Sequence, residues 1–232
     1  MKVAIFFSGK IRSYEKTLEY LLHLRENIDI TFFASHFGVL SDYEKQFIQS
    51  LDIKQSQVYE CVEKIPDIIY DNFLKYTNNH LPNIYKMFYC TKKNIELIEN
   101  YEKENNCKFD IVVKYRCEAV FCGTCNEKLF LEVPIDENEI FIPYGNDFGG
   151  INDQIAFGTL KSMKKYSFAF DRMLHCYTNA IILNPETILL QELHHQNVNI
   201  KRIDFKYVLH QDRRVNDPSY VFLEDYNKKY QC

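Results

Sequence analysis

The sequence predicts an α/β fold, with one mostly parallel sheet flanked by helices. Short apolar runs rich in β-branched and aromatic residues recur along the chain, each closed by a polar or Gly-bearing break. Segments with apolar residues at three- and four-residue spacing separate them, giving the β-α-β-α-β order of a parallel, helix-covered sheet. One run, Phe109 to Val120, changes abruptly from apolar to charged at Lys114, Arg116 and Glu118. An open α/β sheet does this where its strand ends meet a ligand.

Residues 2–8 read as the first strand, ended by Ser8-Gly9-Lys10. Ile11 to Glu26 reads as a helix, with Leu18, Leu21, Leu22 and Arg25 on one stripe. Asp29 to Ser35 is a second buried strand, Asp42 to Leu51 a short helix, and Gln57 to Val62 a third strand. Asp67 to Asn105 is mostly helix, its apolar stripe of Ile84, Met87, Phe88, Ile95 and Ile98 serving the core. Then come the strand 109–115, the strand Glu139 to Pro143 and a Gly- and Asn-rich loop over 144–150. Thr159 to Leu174 reads as one helix. Thr187 to Gln196 is another, opened by Pro185-Glu186, where a missing N–H costs nothing. Ile200 to Val208 is a late strand. The absence of an internal repeat or a low-complexity linker predicts a single domain over 1–232.

Composition narrows the partners. With 46% hydrophobic and 15% aromatic residues the chain can bury a sizeable core, and 7 Gly and 6 Pro argue against disorder. A net charge of -4 gives no general attraction to nucleic acid or to an anionic membrane, so any phosphate site must be local. No apolar run reaches the roughly 20 residues of a membrane span. The first apolar run is too short for a signal peptide, so a cytoplasmic location is expected. The eight cysteines then read as reduced thiols. Cys122-Gly123-Thr124-Cys125 resembles a dithiol centre, but Pro134 cuts the next segment too short to activate a thiol, and no second close pair completes a zinc site.

Four segments carry candidate chemistry. Ser8-Gly9-Lys10-Ile11-Arg12 lies where the first strand hands over to the first helix, and Arg12 suits bidentate contact with phosphate. It matches neither a P-loop nor the dinucleotide fingerprint. Arg116 and Glu118 are two apart and point the same way in extended chain, which fits a phosphate and its metal ion; a surface salt bridge fits the same pattern. In Gly149-Gly150-Ile151-Asn152-Asp153 the glycines allow close backbone approach, and Asp153 lies among Ile151, Ile155 and Phe157. Partial desolvation there favours a general base, while a helix N-cap is the plainer use of an Asp. His210 is a candidate metal ligand, and Arg213 a candidate phosphate contact.

Taken in order, Ser-Gly-x-x-Arg, Met87-Phe88-Tyr89, Phe-Asp-Ile-Val-Val-Lys-Tyr-Arg-Cys-Glu, Gly-Gly-Ile-Asn-Asp-Gln-Ile-Ala-Phe-Gly, Met163, Tyr166 and Pro185-Glu186 resemble a known group. They look like the small nucleotide-sugar-dependent glycosyltransferases of the GT-A, Rossmann-like fold found in bacterial polysaccharide loci and large DNA viruses. The Lys, Asn and Ile bias is compatible with the A+T-rich genome of such a virus. The resemblance implies a nucleotide-binding half over about 1–120, an acceptor and catalytic half over about 121–215, and a tail. It implies a UDP- or GDP-sugar donor, a glycan or glycoprotein acceptor, and Mn²⁺ or Mg²⁺ on the diphosphate. Ser8, Gly9, Arg12, Lys114, Arg116, Glu118, Gly149, Gly150, Asn152 and Arg213 would hold the donor, Glu118 and His210 the metal. Asp153 would be the catalytic carboxylate at a helix start, in an inverting reaction, with Asp147 and Glu186 next in line. Where such enzymes carry an Asp-x-Asp-like motif, this chain has Arg116-Cys117-Glu118. Arg116 cannot bind a metal and is left to neutralise phosphate directly. A sugar nucleotidyltransferase and a non-catalytic binding protein are the alternatives.

Overall fold

The computed structural model describes residues 1–59, 65–76, 81–121, 135–204 and 207–209. Within them the chain runs β1 (Lys2–Ser8), α1 (Glu15–Asn27), β2 (Asp29–Phe37), α2 (Asp42–Ser50), β3 (Gln55–Tyr59), α3 (Asp67–Tyr76), α4 (Leu81–Glu104) and β4 (Ile111–Lys114). It continues as β5 (Ala119–Phe121), β6 (Glu139–Pro143), β7 (Ala156–Gly158), α5 (Leu160–Ser167), α6 (Ala169–Thr178), α7 (Pro185–His195), β8 (Asn199–Ile203) and β9 (Tyr207–Leu209). Seven strands form one sheet in the order β3-β2-β1-β4-β7-β6-β8, while β5 and β9 pair in a separate antiparallel ribbon.

The sheet is parallel except at β7, which runs against both β4 and β6. Its inner strands are mostly apolar because both faces are covered. On β1, Val3, Ile5 and Phe7 pack with Leu21 and Leu24 of α1 and Phe47 of α2. The alternate residues Ala4 and Phe6 pack with Phe88, Ile95 and Ile98 of α4. Met163, Tyr166, Met173 and Leu189, from α5, α6 and α7, extend that second layer.

Several expectations differ. The first helix starts at Glu15, not Ile11, because Gly9 (φ 87°) and Ser13 (φ 42°) adopt left-handed backbone, and residues 9–14 form a loop. The helix expected over Thr159 to Leu174 breaks at Phe168, whose N–H bonds Lys165 O three residues back and tightens the turn between α5 and α6. The late strand is two strands in two sheets, β8 beside β6 and β9 beside β5. Asp153 does not open a helix. It lies just before β7, and α5 begins only at Leu160, capped by Thr159.

Candidate functional site

The antiparallel strand explains the site. β7 pairs with β4 so that Ala156 lies opposite Lys114. The residues just before β7 are thereby returned to the carboxyl end of β4, beside that of β1. A cleft of about 390 Å³ opens there, and Ser8, Gly9, Lys10, Arg12, Lys114, Arg116, Glu118 and Asp153 all line it.

Each wall has a local cause. Gly9 donates its N–H to Ser35 O (3.0 Å), closing the turn after β1. A Cβ on Gly9 would meet nothing within 4 Å, so its positive φ is what calls for glycine. The Ser8 hydroxyl is held by Thr91 Oγ1 and Asn94 Nδ2 of α4, each at 3.2 Å. Cys117 ties the loop to the turn after β4. Its sulfur accepts the Arg12 N–H (3.3 Å) and lies 3.5 Å from Arg12 O. Burial pushes that thiol up, so it stays protonated and packs rather than reacts.

Lys114 ends β4 almost wholly buried, at 6% exposure. Its ammonium donates to the Asp153 backbone carbonyl and to Tyr166 Oη (3.4 Å), and lies 5.6 Å from the Tyr166 ring centroid. Desolvation lowers its pKa, and the Asp153 and Glu186 carboxylates only partly counter this. Arg116 Nε donates to Glu118 Oε2 at 3.0 Å, with NH2 3.5 Å from Oε1. Burial works against the guanidinium charge, but Glu118, with Asp153 and Cys117 adding to it, holds the Arg116 pKa above its usual value. Among the described residues no side chain hydrogen-bonds the Asp153 carboxylate, which feels Lys114 and Arg116 through space. Glu186 stands close to the same group: desolvation and Asp153 raise its pKa, and Lys114 lowers it.

Not every sequence candidate lines this cleft. Gly150 backs onto α7, where an added Cβ would lie 2.1 Å from the Glu186 carbonyl. Gly149 adopts φ 85° in the loop before it. Asn152 is spent on structure: its amide donates to Gly145 O (2.9 Å) and Tyr207 Oη (2.7 Å), and its Oδ1 accepts the Gln154 N–H (2.8 Å). Asp147 is gripped by Arg202 at 2.7 and 2.8 Å. His210, Arg213, Cys122 and Cys125 lie outside the described residues. Conversely Phe37, Asn83, Lys86, Met87 and Gln154 line the cleft without having been singled out as contacts. Lys86 lies on α4 with its Nζ 5.9 Å from the Phe37 ring centroid, and nothing in local spacing marks it, because only the packing of α4 on β2 brings it there.

Among the described residues the donor set does not suit a divalent cation. Glu118 is occupied by Arg116, and among the described residues no three His, Cys, Asp or Glu side chains group to hold an ion.

A family model for a domain of unknown function, DUF7796, matches residues 72–223, nearly two thirds of the chain. The chain belongs to the DUF7796 family. No curated protein sequence matches it. Among solved structures, this DUF7796 chain is similar to the glycosyltransferase GlyE of Streptococcus pneumoniae TIGR4, at 11% identity and TM-score 0.48, over 99% of this chain and 50% of that one. The apo form of GlyE matches at 10% identity and TM-score 0.45, over 87% and 45%. A Desulfovibrio desulfuricans G20 protein, provisionally assigned as a nucleotide-diphospho-sugar transferase, matches at 10% and 0.46, over 99% and 96%. The chain spans about half the length of GlyE. Likenesses at this level leave the chemistry of the DUF7796 chain to its own residues. No helix among the described residues is long and apolar enough to cross a membrane.

Proposed function

We propose that this protein transfers a sugar from a nucleotide-diphosphate donor, UDP- or GDP-linked, to a hydroxyl of a glycan or glycoprotein acceptor. The observation that carries this reading is the charge of the cleft. Among the described residues Lys10, Arg12, Lys86, Lys114 and Arg116 line it against Glu118 and Asp153, in a chain of net charge -4. A local excess of cations at strand ends suits a compact polyanion. In this reading Ser8, Gly9 and Arg12 hold the nucleotide and its phosphates. As the bond between the sugar's anomeric carbon and the diphosphate oxygen breaks, negative charge grows on the departing phosphate, and Lys114 and Arg116 stabilise it. Asp153 takes the acceptor hydroxyl proton, and attack from the face opposite the leaving group inverts the anomeric centre.

Two measurements test this. UDP or GDP should raise the melting temperature more than the monophosphate does; at 100 times the dissociation constant the stabilisation is about 2.7 kcal/mol. No shift with any nucleotide at millimolar concentration would sink the reading. Asp153→Asn should keep donor binding and slow release of free nucleoside diphosphate from the nucleotide-sugar by roughly 10²–10⁴-fold, the usual contribution of a positioned base. Near-normal release in that variant would move the role to Glu186.

A further inference from the structure

We infer that the cleft neutralises the diphosphate with side-chain cations in place of a divalent metal, and that Glu118 is the residue that fixes Arg116, not a metal ligand. This rests on the nucleotide-sugar reading and specifies how that ligand is held. Glu118 is 4% exposed and both its oxygens face inward partners: Oε2 accepts from Arg116 Nε (3.0 Å) with Cys117 Sγ at 3.5 Å, and Oε1 faces Arg116 NH2 (3.5 Å). A hard cation such as Mg²⁺ needs a near-octahedral set of oxygens at about 2.0–2.1 Å. Seated on Glu118, it would lie against a guanidinium of the same sign and displace it from its carboxylate partner.

The same geometry leaves Arg116 ready for phosphate. A guanidinium has five N–H donors in a planar fork. Glu118 engages Nε–H and one hydrogen of NH2, so among the described residues three N–H groups remain without a partner, on a side chain still 35% exposed. The hydrogen bond from Arg12 N–H to Cys117 joins the loop after β1 to this turn, so Arg12 and Arg116 are positioned as one unit. Lys114 closes the inner end and Lys86 enters from α4. Together these groups supply the positive charge that a metal ion would bring to a diphosphate. Glu118 is thus a positioning residue acting through Arg116.

Titration calorimetry of UDP and GDP tests this on the full chain stripped with EDTA, then in millimolar Mn²⁺ or Mg²⁺. The expected result is the same dissociation constant in EDTA as with either metal. Glu118→Gln should weaken binding about tenfold, equally with and without metal, because the freed guanidinium loses its charge-assisted anchor. Arg116→Lys should not restore wild-type affinity, since an ammonium lacks the fork. Two results overturn the inference: binding that appears only with Mn²⁺ or Mg²⁺, or a Glu118→Gln protein that binds normally in EDTA and loses only a metal-dependent increment. The wild-type comparison needs no variant to fold. Absence of nucleotide binding in every condition would instead remove the nucleotide-sugar reading, and the inference with it.

Discussion

Replacing Gly150 by Ala should be among the most damaging single-methyl changes outside the sheet. The new Cβ would fall 2.1 Å from the carbonyl carbon and oxygen of Glu186 and 2.4 Å from the Thr187 nitrogen. These are backbone atoms, so no side chain can swing aside. Ordinary contact begins near 3.4 Å, and the first turn of α7 must retreat by more than about 1 Å. It is poorly placed to do so, because Ile188, Leu189 and Leu193 are fully buried and Ile151 N–H is bonded to Glu186 O at 3.2 Å. Overpacking costs about 1–3 kcal/mol, and a backbone clash belongs at the upper end. For a chain of this size each kcal/mol lowers Tm by about 2–4 °C, so a fall of about 6–12 °C is expected. Gly149→Ala is the internal control. A Cβ there meets nothing within 4 Å, and only the left-handed backbone (φ 85°) penalises it, by roughly 1 kcal/mol or a few degrees. Scanning calorimetry of both variants decides the matter. A Gly150→Ala protein melting within about 2 °C of wild type, or above Gly149→Ala, would refute the close approach of α7.

Two further outcomes follow from buried charges. Because burial sets the folded pKa of Lys114 below its unfolded value of 10.5, its charged form costs stability at neutral pH, and that cost shrinks as pH rises towards 10.5. Lys114→Met should therefore melt at or above the wild-type temperature at pH 7, lose that advantage towards pH 10.5, and bind nucleoside diphosphate at least about tenfold more weakly. A lower Tm at neutral pH would contradict it. Desolvation raises the pKa of Glu44, but hydrogen bonds from Ser41 and the His36 partner (2.7 Å) outweigh it, leaving the folded value below the ordinary 4.5. Its contribution is complete above pH 4.5 and is lost as pH falls through the lower folded value. Glu44→Gln should cost about 2–3 kcal/mol in urea unfolding at pH 7, with the gap closing in acid; a gap independent of pH would count against the pair.

Much of the candidate site could be located from local pattern because its parts sit at strand ends. Ser8-Gly9 and Lys114 are where apolar runs stop, and that break is visible without any fold. The helix boundaries were less legible. Ser13 and Phe168 end or delay helices through backbone conformation and turn hydrogen bonding, which residue spacing does not encode. Gly150 read as a place for a ligand to approach, but what approaches it is the backbone of α7, and a glycine looks the same in either case.

By itself the sequence determined most of the layers of this protein: which long apolar runs become strands, which stripes cover them, and that charge concentrates where β4 ends, though not the short strands β5 and β7. These follow from periodicity, since an alternating or 3.6-residue pattern commits a side chain to a face before any partner is chosen. Only the tertiary structure decided the partners. The reversal of β7 brings Asp153 to Lys114 across 39 residues, the packing of α4 carries Lys86 to Phe37, and the turn after β4 sets Glu118 on Arg116. Contacts between distant segments depend on strand order and register, and no local pattern contains either.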